Sequence, residues 1–370
     1  MARFFLHLFI FCTGISFLSM VASADEPMVH VILAVDGNAG FGANLEADSK
    51  NMERIFRENV PKSQLDIVLM DTNKITPDNI LETVAKVQVD ENDTLVFYYS
   101  GHGANDAANG GHYFQFKDEN GKTAELRRTT LLSHIKEKSP RLAVLLTDCC
   151  NIDMKSSDRI KEWKPEAAPK KISPLFQSLF VEPEGIVNIT SSKRGEASFV
   201  DTSEKKRGSC FTWPLVDLLE EHKDDTEMTW PDFSTLLKTA VHKAFLESWP
   251  DGYKFDPPLN NLTHQKTQTI EIYGQLPGQT SSQTNRGPRF GVRAVNHPNG
   301  GVRVTEVVPD GPGSRAGFEA GDVILEINGE KIADEQDYSL AIDQSPQRIN
   351  MKVLNVQNNE TLDINFDLGY

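Results

Sequence analysis

The sequence predicts an α/β protein, a mostly parallel sheet flanked by helices, joined by a linker to a small β-rich domain. Three observations predict it. From residue 29 onward, apolar runs of strand length alternate with stretches of helix length, the signature of side-by-side strands joined by crossover helices. Residues 275–288, QLPGQTSSQTNRGP, have the composition of a flexible linker. Residues 289–370 then change to short alternating strands. A chain of 370 residues exceeds what one core usually organises, and 39% apolar content fits about two folded domains.

The first domain, residues 25–274, begins with the strand VHVILAVD (29–36), then a helix around ADSKNMERIFREN and the strand LDIVLMD (65–71). A second helix starts at Thr76, where Thr-Pro makes a good cap and first turn. DTLVFYYSGHG (93–103), HYFQF, a helix at RTTLLSHIKEK and the strand LAVLLTD follow. After residue 173 come the strand GIVNITSS (185–192) and the helical PLVDLLEEH, and the α/β pattern ends near Tyr273. Behind the linker, GVRVTEVV, DVILEING and INMKVLNV read as strands and EQDYSLAIDQ as a helix.

Residues 1–24 read as an export signal: Arg3, an apolar run from 4 to 21, then Ala22-Ser23-Ala24 as a cleavage site. Export to a periplasm or secretion is therefore expected, with a membrane tether as the alternative if the segment is retained. A net charge of −15 argues against nucleic acid as a partner, because phosphates need a basic face.

Cys12 lies in the signal, leaving Cys149, Cys150 and Cys210, too few for a disulfide framework. Neighbouring cysteines rarely bridge each other; a bridge from Cys210 to one of them stays open. Metal-ligand spacing is missing, so no metal site is expected, and the adjacent pair lacks the C-x-x-C spacing of a redox protein.

Two strand ends carry chemistry. SGHG places His102 just after one strand, and TDCC places Cys149 and Cys150 after another. In open α/β sheets functional residues collect beyond such ends. A thiol needs a base to raise its thiolate fraction and an acid to protonate the leaving amine, and imidazole does both. Gly101 and Gly103 are expected to let the backbone turn tightly and admit a substrate chain.

YYSGHGA followed by LLTDCCN resembles the two boxes of the caspase-like cysteine peptidases, the clan of metacaspases and paracaspases. The resemblance covers roughly residues 29–260, including GIVNITSSKRGE and GSCFTWPLVDLL. In metacaspases the second box reads Asp-Ser-Cys-His, which puts Asp148 on its acid, Cys149 on its serine and Cys150 on its nucleophile. The resemblance implies a His102–Cys150 dyad, an oxyanion held by the N–H groups of Gly103 and Cys150, and no required cofactor. Calcium activation, known in some metacaspases, stays open. It also implies a substrate pocket with Asp148 and Glu196 as its carboxylates, hence protein or peptide substrates cut after Arg or Lys. Lys193 and Arg194 are the rival partners of Glu196. Asn151 departs from the family's histidine, which supports the alternative of a catalytically silent pseudo-protease scaffold. SEKKRGSC (203–210) is either a solvated basic loop or a self-cleavage site.

In residues 289–370, RFGV and the run GSRAGFEAGDVILEING resemble a PDZ domain of the kind attached to bacterial proteases. Such domains add a chain end as a strand at a sheet edge. The resemblance makes Phe290, Gly291 and Val292 the loop that binds the terminal carboxylate, with a C-terminal or extended peptide as the partner.

Overall fold

The structure, a computed structural model, describes residues 26–37, 42–72, 74–106, 111–117, 123–150, 169–193, 195–203, 207–259, 262–279, 290–298, 300–332, 335–345 and 348–367. The segment expected to be an export signal, Asn151, Arg194, residues 204–206 and most of the linker lie outside them, as does the Cys150 side chain.

The first domain is built on β1 (Val29–Val35), α1 (Ala43–Asn59), β2 (Leu65–Leu69), α2 (Pro77–Lys86) and β3 (Thr94–Asp106). A hairpin of β4 (Gly111–Lys117) and β5 (Thr123–Arg127) leads to α3 (Arg128–Glu137) and β6 (Leu142–Cys150). Then come the short α4 (Pro174–Phe176), β7 (Gly185–Thr190), α5 (Thr212–Glu221) and α6 (Trp230–Ser248). The small hairpin β8 (Tyr253–Leu259) and β9 (Leu262–Gln265) precedes β10 (Glu271–Ile272). The sheet runs β10-β7-β6-β3-β1-β2, with parallel pairing from β7 to β2 and β10 antiparallel at the edge.

Parallel strands joined by helices must be covered on both faces, and the burial divides accordingly. Val31, Val96, Val144 and Val187 face one core with Met52 and Phe56 of α1, Leu215 of α5 and Phe233 of α6. Ile32, Phe97, Leu145 and Cys149 face the other with Ile80 of α2 and Leu131 of α3. The period-2 alternation thus splits each strand between two apolar layers. α2 starts where Thr76 caps it, accepting the Asn79 N–H at 3.2 Å, with Pro77 in the first turn. The 19-residue α6 and the β8–β9 hairpin are additions to the sequence reading.

The second domain is an antiparallel sheet, β11 (Val292–Asn296), β12 (Val302–Val307), β13 (Val323–Ile327), β15 (Arg348–Leu354) and β16 (Thr361–Asp367) in that order, with β14 (Glu330–Lys331) beside β13. Its helices are α7 (Pro312–Arg315) and α8 (Glu335–Gln344). Phe290, Phe318 and Phe366 pack together in its core. The domain touches the first through α3, where Lys136 is ion-paired with Asp337 of α8. Among the described residues, no helix is long and apolar enough to cross a membrane.

Candidate active site

β3 and β6 lie side by side, and their register pairs Ser100 with Asp148, Gly101 with Cys149 and His102 with Cys150. The base candidate and the nucleophile candidate therefore occupy opposite positions on neighbouring strands. His102 is buried and sits within β3, which continues to Asp106, rather than in a loop after it. The flanking glycines answer to packing instead of turning, which corrects the expectation. A side chain at Gly101 would press into the Tyr99 hydroxyl at 2.6 Å, and one at Gly103 into Cys149 at 2.8 Å. Gly103 also starts the pairing with β4, opposite Phe114.

Asp148 is buried and carries three hydroxyl donors: Ser198 at 3.0 Å, Thr212 at 2.7 Å, and Ser209. Ser209 also gives its N–H to Asp48 at 2.8 Å, and Ser100 gives its hydroxyl to Asp48 at 3.1 Å. Two acids are thus buried near each other, and among the described residues neither forms an ion pair with a base. Burial pushes the Asp48 carboxyl well above its ordinary range, and the charge of Asp148 pushes it further. Burial also raises Asp148, against its hydroxyl donors. Tyr98, within 2.6 Å of the Thr212 hydroxyl, is raised by burial and by the same two acids. Such a pair is electrostatically short of a cation.

Glu196 is not part of that group. Its carboxylate meets Lys193 at 3.1 Å and accepts the Thr269 N–H at 2.8 Å. The acid that faces Asp148 is Asp48, which the sequence reading missed. A signal existed: Asp48 falls on the buried stripe of α1 with Leu45, Met52, Ile55, Phe56 and Asn59, where a carboxylate is out of place.

Cys149 belongs to the opposite face. Its sulfur lies 3.3 Å from Nε2 of His112 on β4, and both side chains are buried. Burial, followed by the nearby Arg128 charge, lowers His112 from 6.5 to about 3, so its imidazole is neutral near pH 7. Arg128, fully buried at the start of α3, donates to Thr147 on β6 and to Asn188 and the Ile189 carbonyl on β7, and lies over the Tyr273 ring. Thr147, two residues before Cys149, is thereby held from behind. Among the described residues neither Cys149 nor Cys210 forms a disulfide, and burial pushes Cys210 up to about 12, which makes it inert. Among the described residues, no group of His, Cys, Asp and Glu could hold a metal ion.

In the second domain Phe290 and Val292 are buried, and Gly291 between them takes φ of +72°, a backbone region that favours glycine. Val292 opens β11, the edge strand.

Comparison with known proteins adds the following. Residues 42–286 match the family model of the caspase domain, and residues 303–355 that of the PDZ domain. Among solved structures, the chain is similar to caspase-1 from Spodoptera frugiperda, at 14% identity over 67% of this chain and 87% of that one, with a TM-score of 0.41. It is also similar to the HtrA3 PDZ domain bound to a phage-derived ligand, at 24% identity over 21% of this chain and 81% of that one, with a TM-score of 0.19. No curated protein matches it. With a caspase-domain match over about two thirds of its length, the chain belongs to the caspase-domain family of cysteine peptidases and carries a PDZ domain behind its peptidase domain.

Proposed function

We propose that this chain is an exported cysteine endopeptidase that uses His102 and Cys150 to cut after Arg or Lys, while its PDZ domain holds the chain ends of substrates or partners. The observation that carries the reading is the β3–β6 register. It sets position 150 against His102 and Asp148 against Ser100, two residue pairs below, where Ser100 bonds to Asp48.

The chemistry follows from those positions. His102 takes the thiol proton of Cys150, and the thiolate attacks the carbonyl carbon of the peptide bond to form a C–S bond. The N–H groups of Gly103 and Cys150 hold the developing oxyanion. His102 then protonates the departing amine as the C–N bond breaks, and a water molecule, deprotonated by His102, cleaves the thioester and restores the thiol. The reaction needs no cofactor. A cationic side chain of the substrate satisfies Asp48 and Asp148, whereas an acidic one meets two like charges. Both acids lie under Ser209, so this residue must give way as the cation enters.

A second reading takes Cys149 and His112 as the dyad, favoured by their 3.3 Å contact. Against it, an imidazole lowered to about 3 is a poor base for a thiol, and both side chains are buried, Cys149 within the core of the second face. The deciding experiment uses the chain from residue 25 onward. Cleavage of a peptide library is followed with and without calcium, alongside Cys150→Ala and Cys149→Ala. Loss confined to the first variant, with Arg or Lys before the cut, supports the proposal. Loss confined to the second selects the other dyad. No cleavage, with no rapid labelling by iodoacetamide, leaves a silent scaffold.

A further inference from the structure

Tyr338 is a polar group of the second domain that the chemistry above does not use. It lies on α8, is 8% exposed, and its hydroxyl donates a 2.9 Å hydrogen bond to the main-chain carbonyl of Val292. The direction of that carbonyl gives the bond its meaning. Gly291 turns its own carbonyl toward β12, where it accepts the Val308 N–H at 2.7 Å. Successive carbonyls of a strand point to opposite sides, so the Val292 carbonyl points to the free edge of β11. A peptide added to this edge pairs its N–H groups with such carbonyls. Val292 is the first of them after the loop of Phe290 and Gly291.

We propose that Tyr338 caps this first rung, so that a peptide with a free, apolar C-terminus must displace the phenol from Val292 in order to dock. The inference rests on the chain-end reading of the PDZ domain given above. α8 packs against β11 and β13, which fixes the gap that the ring spans. From the other side Asp337, the preceding residue, is paired with Lys136 of α3. The Val292 carbonyl already has a donor in Tyr338. At this rung the ligand exchanges one hydrogen bond for another and gains nothing. Removing the hydroxyl while keeping the ring leaves the carbonyl waiting, and the same exchange becomes a gain. The net worth of one neutral hydrogen bond corresponds to about three- to tenfold in affinity.

The test uses the full chain and fluorescein-labelled decapeptides ending in Val, Leu or Phe, each with a free carboxylate and as the C-terminal amide. Anisotropy titrations compare the wild type with Tyr338→Phe and, as a second variant lacking the hydroxyl, Tyr338→Leu, with folding checked by thermal melting. The expected result is binding of the free-carboxylate peptides about three- to tenfold tighter in Tyr338→Phe. Equal or weaker binding by the hydroxyl-free variants overturns the cap. Amides that bind as well as acids overturn the chain-end reading, and the cap then stands only if both tighten on losing the hydroxyl. Absence of binding to every form overturns both.

Discussion

Asp48 and Asp148 are tied together by one residue: Ser209 gives its N–H to the first carboxylate and its hydroxyl to the second. Among the described residues neither acid forms an ion pair, and the first is raised well above its ordinary 3.8 by burial and by the charge of the second. A carboxyl raised on folding stabilises the fold below the unfolded value and loses that contribution as pH climbs through the folded value. Asp48→Asn should therefore melt higher than wild type at pH 8, with the difference shrinking toward pH 4. The same change should lower kcat/KM for Arg-containing peptides by about a hundredfold, the cost of removing one member of a buried charge contact. A variant that melts lower at pH 8 and cleaves normally contradicts both the electrostatics and the pocket.

Cys149 is packed in the second core, whereas Cys150 is the proposed nucleophile. Cys150→Ala should reduce turnover at least about a thousandfold, the scale on which losing a catalytic nucleophile is felt. Cys149→Ala should keep turnover within a few-fold while costing about 1–2 kcal/mol of stability, because it removes a buried sulfur packed against Gly103. Single-turnover kinetics and urea unfolding of both variants distinguish these outcomes.

His112 writes itself into the acid limb of the stability curve. Its imidazole falls from 6.5 to about 3 on folding, mainly through burial, so between those values the unfolded chain binds a proton that the folded one refuses. The contribution is whole above 6.5 and is lost as pH falls toward 3. It amounts to about 2 kcal/mol between pH 6.5 and 5. His112→Gln should flatten that limb in urea titrations at a series of pH values. An unchanged slope would mean that the ring reaches water.

Arg128 holds the strand that carries the cysteines. Its guanidinium satisfies Thr147, Asn188 and a main-chain carbonyl while fully buried, and it lies over Tyr273. Arg128→Leu should destabilise the first domain by about 2–4 kcal/mol, the cost of leaving several buried acceptors unpaired. Calorimetry should assign that loss to the peptidase transition and leave the PDZ transition in place.

Much of this architecture was legible in the residues. Apolar runs of fixed length found β1, β2, β3, β6 and β7, because strands covered on both faces leave continuous hydrophobic stretches. The SGHG and TDCC boxes marked the candidate site, but the reason for the glycines lay in packing. Which side chains fill the space beside Gly101 and Gly103 is set by Tyr99 and Cys149, and no local pattern announces that. Asp48 was missed for a related cause. It sits 100 residues from Asp148 in sequence, and only the crossing of α1 over β3 and β6 brings the two acids together. Glu196 looked equivalent by position, yet Lys193 three residues earlier claims it. His112 was read only as the start of a strand, since its role depends on how the β4 hairpin folds back over Gly103.

Positions 102 and 150 ride on paired strands, so the distance between them is the rung spacing of a β-ladder, about 4.8 Å, maintained by every hydrogen bond below it. Ser198 and Ser209, which bond to the acid two residues back on β6, come instead from the segment between β7 and α5. Under the proposed function, substitutions at those two serines should change which side chain is accepted before they change that spacing.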